Sequence, residues 1–175
     1  MDIDSKIQGK KNVAFIDDFL PGDTFLSMTE QIMGDSFPWF YSPFKTNAHE
    51  SGGVFDSQLT HTFYFDEKWN SPYLWAVEPV LSILNPKEIV RIKANLTVPS
   101  TEVRQWGMHV DFDDPEITTG ILYFTECDGG TVFDGGKRVE SKPNRFVHFP
   151  ANTFHSGETF TNAKARCVIN FNLIL

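Results

Sequence analysis

Short apolar segments separated by turn-forming residues dominate the second half of the chain. Seven such segments, rich in Val, Ile, Phe and Thr, span residues 88–98, 104–111, 117–125, 131–133, 137–139, 145–149 and 166–174. This composition and spacing are typical of β-strands. The turn sequence Asp134-Gly135-Gly136 between two of the segments indicates a hairpin. Many short strands without intervening helices predict an antiparallel sandwich or jelly roll.

The first half of the chain mixes strand and helix patterns. Residues 12–19 and residues 61–65 each predict a strand. Asp23 is placed as the N-cap of a helix that runs to Met33, with apolar residues near one face. Helices early in the chain and strands after them predict an α+β fold, mainly β, in which N-terminal helices pack on one sheet.

A second apolar helix is predicted from Ser71 to Leu84. Ser71 and the proline after it suit an N-cap and a first turn. Pro79 lies inside this pattern, and proline removes a helical hydrogen bond. We therefore expect a kink or two short helices at this point.

Length, charge and cysteine content exclude several classes of protein. The chain has 175 residues, a length that fits one domain, and a net charge of −8. No run of Lys and Arg exceeds two residues, which disfavours a nucleic-acid partner. The longest apolar runs are far shorter than the roughly 20 residues that cross a bilayer. Two cysteines cannot form a disulfide framework, so we expect a reducing, cytoplasmic environment.

The motif His109-Val110-Asp111 is the first feature that could carry chemistry. On a strand, residues two apart share a face, so this imidazole and this carboxylate would emerge side by side. The other histidines are His49, His61, His148 and His155. His155 follows a turn, where a barrel rim would present a ligand, whereas His148 lies in a strand-like run as a structural or surface residue. Two histidines and one carboxylate suit Fe(II) with open positions, although the motif alone also fits a surface histidine beside an aspartate.

Arg166 is the second such feature, because it opens an otherwise apolar strand. It lies eleven residues after His155 and precedes Cys-Val-Ile-Asn-Phe. An arginine that points into a barrel is costly unless it meets an anion, and its guanidinium grips a carboxylate through two hydrogen bonds. The alternatives are an outward arginine on an edge strand and an arginine paired with a core aspartate.

Taken in chain order, these motifs and the segments around them resemble those of the Fe(II)/2-oxoglutarate-dependent dioxygenases. The resemblance is closest to the prolyl 4-hydroxylase-like branch, with its small phage and bacterial members. The matching segments are residues 91–96, 109–112, 121–124, 129–133, 144–149, 155–157 and 166–171. The match covers about residues 88–175, with a weaker similarity at residues 13–20.

The resemblance implies a double-stranded β-helix, which is a form of jelly roll, and a set of site residues. It implies that His109, Asp111 and His155 bind Fe(II), and that Arg166 pairs with the distal carboxylate of 2-oxoglutarate. Tyr123 occupies the place of a tyrosine whose hydroxyl meets that same carboxylate.

Two positions depart from the pattern of the family. Relatives outside this branch carry Ser at the position of Val168, which makes Tyr123 the expected hydroxyl partner of the cosubstrate. Relatives carry Tyr at the position of Thr97, so Thr97 is a weaker cosubstrate-binding residue.

The implied activity is hydroxylation of a C–H bond, with succinate and CO₂ as co-products and ascorbate as a reactivating reductant. The expected substrate is a prolyl or other residue in a peptide or protein. The alternatives are a free amino acid or small metabolite as substrate, and a cupin-like metal protein that is not an oxygenase. We expect one dioxygenase domain over residues 1–175, with the catalytic core at 88–175 and a supporting region at 1–87, in the cytoplasm of a bacterium or phage-infected host.

The aromatic segment of the supporting region has two interpretations. Trp39, Phe40, Tyr41 and Phe44 could line the mouth of the site, with residues 49–57 as a lid over the substrate. Alternatively, these aromatic residues fill the core against the jelly roll.

Overall fold

The structure, a computed structural model, describes residues 12–45 and 57–175. Its strands and helices, in chain order, are β1 (Ala14–Ile16), α1 (Gly22–Ile32), β2 (Phe40–Ser42), β3 (Gln58–Phe65), β4 (Lys68–Trp69), a 3₁₀ helix (Leu74–Ala76), α2 (Glu78–Leu84), β5 (Glu88–Thr97), β6 (Thr118–Tyr123), β7 (Gly130–Phe133), β8 (Arg138–Glu140), β9 (Phe146–Pro150), β10 (His155–Gly157) and β11 (Arg166–Ile174). None of the helices in these two ranges has the length and apolar character needed to cross a membrane.

The strands form two antiparallel sheets. The larger sheet has the order β1-β9-β6-β11-β5-β3-β2, with β4 paired to β3, and the smaller has the order β10-β7-β8. The predicted hairpin joins β7 to β8, where Gly135 and Gly136 adopt positive φ angles of 81° and 84° that favour glycine.

One apolar layer lies on each face of the larger sheet. Residues such as Tyr123, Val147 and Val168 pack against Phe133 and Val139 of the smaller sheet. The opposite face packs against the N-terminal helices in a second, larger cluster. The predicted mainly β fold, with its N-terminal helices on one sheet, is confirmed.

Strand β11 shows how the sequence alternation separates these two layers. Cys167, Ile169 and Phe171 are buried in the cluster on the helical side. Arg166, Val168 and Asn170 line a cavity on the other face. The alternation follows from the period of two in a strand, and it makes β11 part of the cavity floor.

The predicted strand over residues 104–111 is wrong. This segment makes only isolated bridges, from Gln105 to Glu158 and from His109 to His155. The amide of Asp111 instead donates to the carbonyl of Ala151 in the turn before β10, at 3.0 Å. The two bridges are out of register, because four positions separate Gln105 from His109 but only three separate His155 from Glu158, and this shift interrupts the ladder.

The predicted helices are present with shifted ends. Helix α1 begins at Gly22 and has Pro21 at its cap, without a side-chain capping bond, so Asp23 lies in the first turn. The second predicted helix is divided into the 3₁₀ helix and α2, as expected. The division falls at Val77, and Pro79 lies in the first turn of α2, where its missing N–H costs nothing.

An ion pair joins Asp17, directly after β1, to Arg145, directly before β9. Arg145 donates from Nε and Nη2 to the two carboxylate oxygens of Asp17 at 2.6 and 3.0 Å, and Lys142 lies 3.3 Å from the same carboxylate. The hydrogen bond from Arg145 is the main cause of a lowered Asp17 pKa. Because the folded pKa lies below the unfolded one, this stabilisation is present above pH 4 and is lost as the pH falls through the folded pKa.

We expect Asp17→Asn to reduce the free energy of unfolding at pH 7 by about 1 kcal/mol, a value discounted for partial exposure. The difference from wild type should shrink at pH 3, where the wild-type carboxylate is losing its charge. Urea denaturation at both pH values measures this. The exposed Asp113, changed to Asn, is the control and should leave both values near wild type. An Asp17→Asn effect of equal size at pH 7 and pH 3 would contradict the assignment.

Candidate metal and cosubstrate site

A cavity of about 630 Å³ lies between the two sheets. Its floor comes from β5 and β11, and its far wall from β10 and the segment that precedes β6. Five of the six residues predicted for the site line this cavity: Thr97, His109, Asp111, His155 and Arg166.

The three predicted metal ligands come together at one end of the cavity. His109, Asp111 and His155 each offer a ligand atom, and these atoms lie within 4.8 Å of one another. The backbones of His109 and His155 form a bridge, which places their rings with centroids 4.6 Å apart. Two imidazoles and one carboxylate in this arrangement are a donor set that suits Fe(II) with open positions.

Backbone carbonyls fix the protonation pattern of both imidazole rings. Nδ1 of His155 lies 2.9 Å from the carbonyl of Thr153, and Nδ1 of His109 lies 3.3 Å from that of Gly107. A ring that donates from Nδ1 leaves the lone pair of Nε2 available to a metal. Burial lowers the pKa of His155, which favours the neutral ring that a metal requires.

The carboxylate of Asp111 is held by three side chains. Oδ1 accepts a hydrogen bond from Arg91 Nη2 at 2.8 Å, while Oδ2 accepts from Thr119 Oγ1 at 2.9 Å and from Asn172 Nδ2 at 3.1 Å. Burial raises the pKa of Asp111, but the positive charge of Arg91 and the hydrogen bonds outweigh burial, so the pKa lies below its usual value. The group is therefore an oriented anion at neutral pH.

Sequence reasoning assigned no site role to Arg91, Thr119 or Asn172. Asn172 lies opposite Arg91 on one neighbouring strand and opposite Thr119 on the other, so the three form one row across the sheet. The signal for Asn172 in the sequence was that polar residues occupy alternate positions of the otherwise apolar strand β11. The pairing of the three strands, which the sequence does not state, was needed to interpret it.

We expect Asn172→Leu to weaken metal binding by about 10–100-fold, because partners that orient a ligand typically contribute that much. The change removes the bonds to Asp111 and Thr119 and leaves Arg91 Nε without its 2.9 Å acceptor. The matched control is Asn170→Leu, on the same strand and face but without a bond to Asp111. Titration of Mn(II), followed by electron paramagnetic resonance, measures both. Equal metal affinity in Asn172→Leu and wild type would contradict the role.

Arg166 is a buried cation that has no anionic partner among the described residues. Its side chain opens β11, and the residue is 8% exposed. Nη2 donates only to neutral oxygens, the Gly130 carbonyl at 3.2 Å and Thr131 Oγ1 at 3.4 Å, and Nε has no partner within the described ranges. A buried guanidinium in this state is costly, so its position favours a bound carboxylate.

Tyr123 and Thr97 occupy different positions around Arg166. Tyr123 is fully buried, with burial raising its pKa, and its hydroxyl lies 2.6 Å from Thr131 Oγ1. Thr131 lines the cavity and accepts a hydrogen bond from Arg166, and the Arg166 guanidinium also lies over the Tyr123 ring, with Cζ 5.5 Å from the ring centroid. Thr97 is paired with Arg166 across the sheet, and its hydroxyl lies 3.4 Å from the Arg166 carbonyl.

The remaining histidines lie outside the metal-ligand group. His148 is buried on β9 opposite Gly120 and Ala14, in keeping with its predicted structural position. His61 packs with the N-terminal aromatics, 2.8 Å from the Pro38 carbonyl and 2.7 Å from Ser71 Oγ. His49 falls in the range 46–56, outside the described residues.

The aromatic segment divides between the two interpretations. Phe44 lines the cavity, whereas Trp39 packs against the core cluster and Phe40 and Tyr41 are exposed. Lys45 continues the segment and lies over the ring of Trp106, with Nζ 3.6 Å from the ring centroid. The lid prediction for residues 49–57 falls almost entirely outside the described residues.

The structure is similar to solved structures of one class. A prolyl-4-hydroxylase from Pseudomonas putida shares 13% identity, with 95% of this chain and 94% of that chain covered and a TM-score of 0.61. A prolyl hydroxylase from Trichoplax adhaerens, in complex with a peptide fragment of hypoxia inducible factor, shares 12% identity, with 94% and 84% covered and a TM-score of 0.61. A non-heme alpha ketoglutarate dependent epimerase from nogalamycin biosynthesis shares 11%, with 97% and 80% covered and a TM-score of 0.63.

These similarities establish the fold of the chain as that of the 2-oxoglutarate/Fe(II) oxygenases, which is the predicted double-stranded β-helix. No protein-family model matches the chain, and no curated protein sequence matches it significantly. The His-Asp-His donor set suits Fe(II). Arg166, which meets no anion within the described ranges, suits a carboxylate of 2-oxoglutarate.

Proposed function

We propose that the chain is an Fe(II)- and 2-oxoglutarate-dependent dioxygenase, formed by one domain over residues 1–175, that hydroxylates a C–H bond. The observation that carries this proposal is the presence in one cavity of both a His-Asp-His donor set and a buried arginine that meets no anion in the described part of the chain. The fold of the chain is compatible with this chemistry.

In this proposal, His109, Asp111 and His155 hold Fe(II), and Arg166 pairs with the distal carboxylate of 2-oxoglutarate. Thr131, supported by the Tyr123 hydroxyl, orients that carboxylate, and Thr97 borders it. When bound, Fe(II) would activate O₂ as the oxidant, while 2-oxoglutarate would supply two electrons and give succinate and CO₂; one oxygen atom would enter succinate and the other the C–H bond. Val168 and Ile121 contribute apolar walls that limit water in the cavity.

For the substrate, we propose a prolyl or other residue in a peptide or protein. The support is that one structural neighbour was solved with a bound peptide. Incubation with a peptide library tests this, and the expected result is a mass increase of one oxygen atom that depends on 2-oxoglutarate. The result against it is an unmodified library in a preparation that still forms succinate.

A free amino acid or small metabolite is the second candidate substrate. The observations that favour it are a cavity of a size that suits a small ligand and a structural neighbour from nogalamycin biosynthesis. The same incubation with a metabolite mixture distinguishes the two substrate classes.

Purified protein is expected to convert 2-oxoglutarate to succinate only when Fe(II) is present, even without substrate. Ascorbate should increase the number of turnovers. A cupin-like metal protein without oxygenase activity would bind the metal and yet form no succinate. Quantification of succinate with Fe(II), with Zn(II) and without metal separates the two.

A further inference from the structure

Four basic residues line the cavity, Lys45, Arg91, Lys93 and Arg166, and the proposed chemistry assigns no role to Lys93. Alternate residues of β5 face the cavity, and Lys93 is among them, between Arg91 and Asn95. It is half-buried and lies opposite Asn170 of β11. Asn170 lies in turn opposite Ile121 of β6, so a lysine, an amide and an apolar side chain form a row across the cavity floor.

The charges around Lys93 are already paired with one another. Arg91 is bound to Asp111 at 2.8 Å, and Glu158 of the cavity wall is bound to Arg138 at 2.8 Å. Lys93 itself forms no hydrogen bond or ion pair within the described ranges. Burial and the nearby Arg91 lower the pKa of Lys93, with partial compensation by Asp111. A partly buried ammonium without a counterion is unfavourable unless an anion joins it.

Binding of Fe(II) and 2-oxoglutarate would still leave Lys93 without a counterion. The metal charge balances the two carboxylates of the cosubstrate, and Arg91 balances Asp111. With those charges balanced, the positive charges of Arg166 and Lys93 are in excess, and only Arg166 gains a hydrogen-bonded partner, the distal carboxylate of 2-oxoglutarate. The cavity of a chain with net charge −8 would thus remain positive after cosubstrate binding.

We propose, on the basis of the proposed function, that Lys93 binds a carboxylate of the substrate, and therefore that the enzyme acts on acidic substrates. Ile121 and Val168 beside this position provide an apolar surface for the methylene carbons that carry such a carboxylate. Lys93 is a specificity-determining residue in this assignment, since it contacts substrate and takes no part in binding the metal.

Equilibrium binding of matched probes to the full chain tests the assignment. The protein is loaded with substoichiometric Mn(II) and saturating 2-oxoglutarate. The probes are two blocked tripeptides, acetyl-Ala-Asp-Ala-amide and acetyl-Ala-Glu-Ala-amide, and free L-aspartate. Each is compared with the probe in which an amide replaces the side-chain carboxylate: the Asn tripeptide, the Gln tripeptide and free L-asparagine. Paramagnetic broadening of the probe protons reports binding near the metal. In wild type, at least one carboxylate probe should bind at least tenfold more tightly than its amide counterpart.

Three variants locate the effect. Lys93→Met should remove the preference for carboxylate, and Lys93→Arg should retain most of it. Lys68→Met makes the same charge change on the exposed β4 and should match wild type. Affinity for 2-oxoglutarate, measured in the same samples, should change less than threefold in Lys93→Met.

Two results would overturn the assignment while leaving the proposed function intact. One is equal binding of every carboxylate probe and its amide counterpart in wild type that binds Mn(II) and 2-oxoglutarate normally. The other is a tenfold or greater loss of 2-oxoglutarate affinity in Lys93→Met, which would make Lys93 a cosubstrate residue. Absence of 2-oxoglutarate binding in wild type would instead overturn the proposed function.

Discussion

Asp111→Ala is expected to abolish succinate formation and to weaken Fe(II) binding by roughly a hundredfold or more. Asp111 is the one anion among the three donors, and partners that only orient a ligand are already worth about 10–100-fold in metal affinity. His109→Ala and His155→Ala should lose turnover in the same way, because each removes one donor of the group. Metal titration and a succinate assay on each purified variant measure the two effects.

Two controls accompany these variants. Asp113→Asn changes an exposed carboxyl two residues from Asp111 and should keep wild-type metal affinity and turnover. His148→Gln changes the other histidine of the jelly-roll core and should keep metal binding if the protein folds, which circular dichroism checks. Full iron-dependent turnover in Asp111→Ala or His109→Ala would show that the ligand assignment is wrong, as would loss of metal from folded His148→Gln.

Arg166→Ala is expected to weaken 2-oxoglutarate binding at least tenfold. A charge-assisted pair contributes roughly 1.5–3 kcal/mol, and about 1.4 kcal/mol corresponds to one decade of affinity. Tyr123→Phe should cost less, about 1 kcal/mol, because it removes one neutral donor. Its hydroxyl lies against Thr131, which also accepts a bond from Arg166, so the loss would reach the cosubstrate through this group.

Titration of 2-oxoglutarate into the anaerobic Fe(II) protein measures both variants. Metal affinity should stay near wild type in each, since neither residue is a ligand. Arg104→Ala, an exposed arginine paired with Glu102, is the matched control and should bind 2-oxoglutarate normally. Unchanged cosubstrate affinity in Arg166→Ala would remove the main argument for a 2-oxoglutarate enzyme and favour the cupin-like alternative.

The fold and the grouping of His109, Asp111 and His155 could be predicted because they depend on local pattern and order. The alternation along β11 separates Arg166 and Val168 from Cys167 and Ile169, and a strand preserves that separation in any sheet. The choice of His155 over His148 followed from the turn before it, and this turn places the imidazole beside His109.

The parts that could not be predicted depend on contacts between distant segments. The support of Asp111 comes from Arg91, Thr119 and Asn172, on three strands whose pairing determines the row. Residues 104–111 carry the apolar pattern of a strand, but they meet residues 151–159 through two bridges that are out of register with each other. The bond from Tyr123 to Thr131 likewise requires knowledge of how the two sheets pack.

The most direct test of the central claim is the visible absorption spectrum of the anaerobic protein with Fe(II) and 2-oxoglutarate. If the cavity holds both groups in contact, their joint addition should give a weak charge-transfer band that neither gives alone. Asp111→Ala should lose the band, and Arg166→Ala should require at least tenfold more 2-oxoglutarate to reach half of it. A wild-type spectrum that remains unchanged on joint addition, in protein that binds Fe(II), would contradict the account.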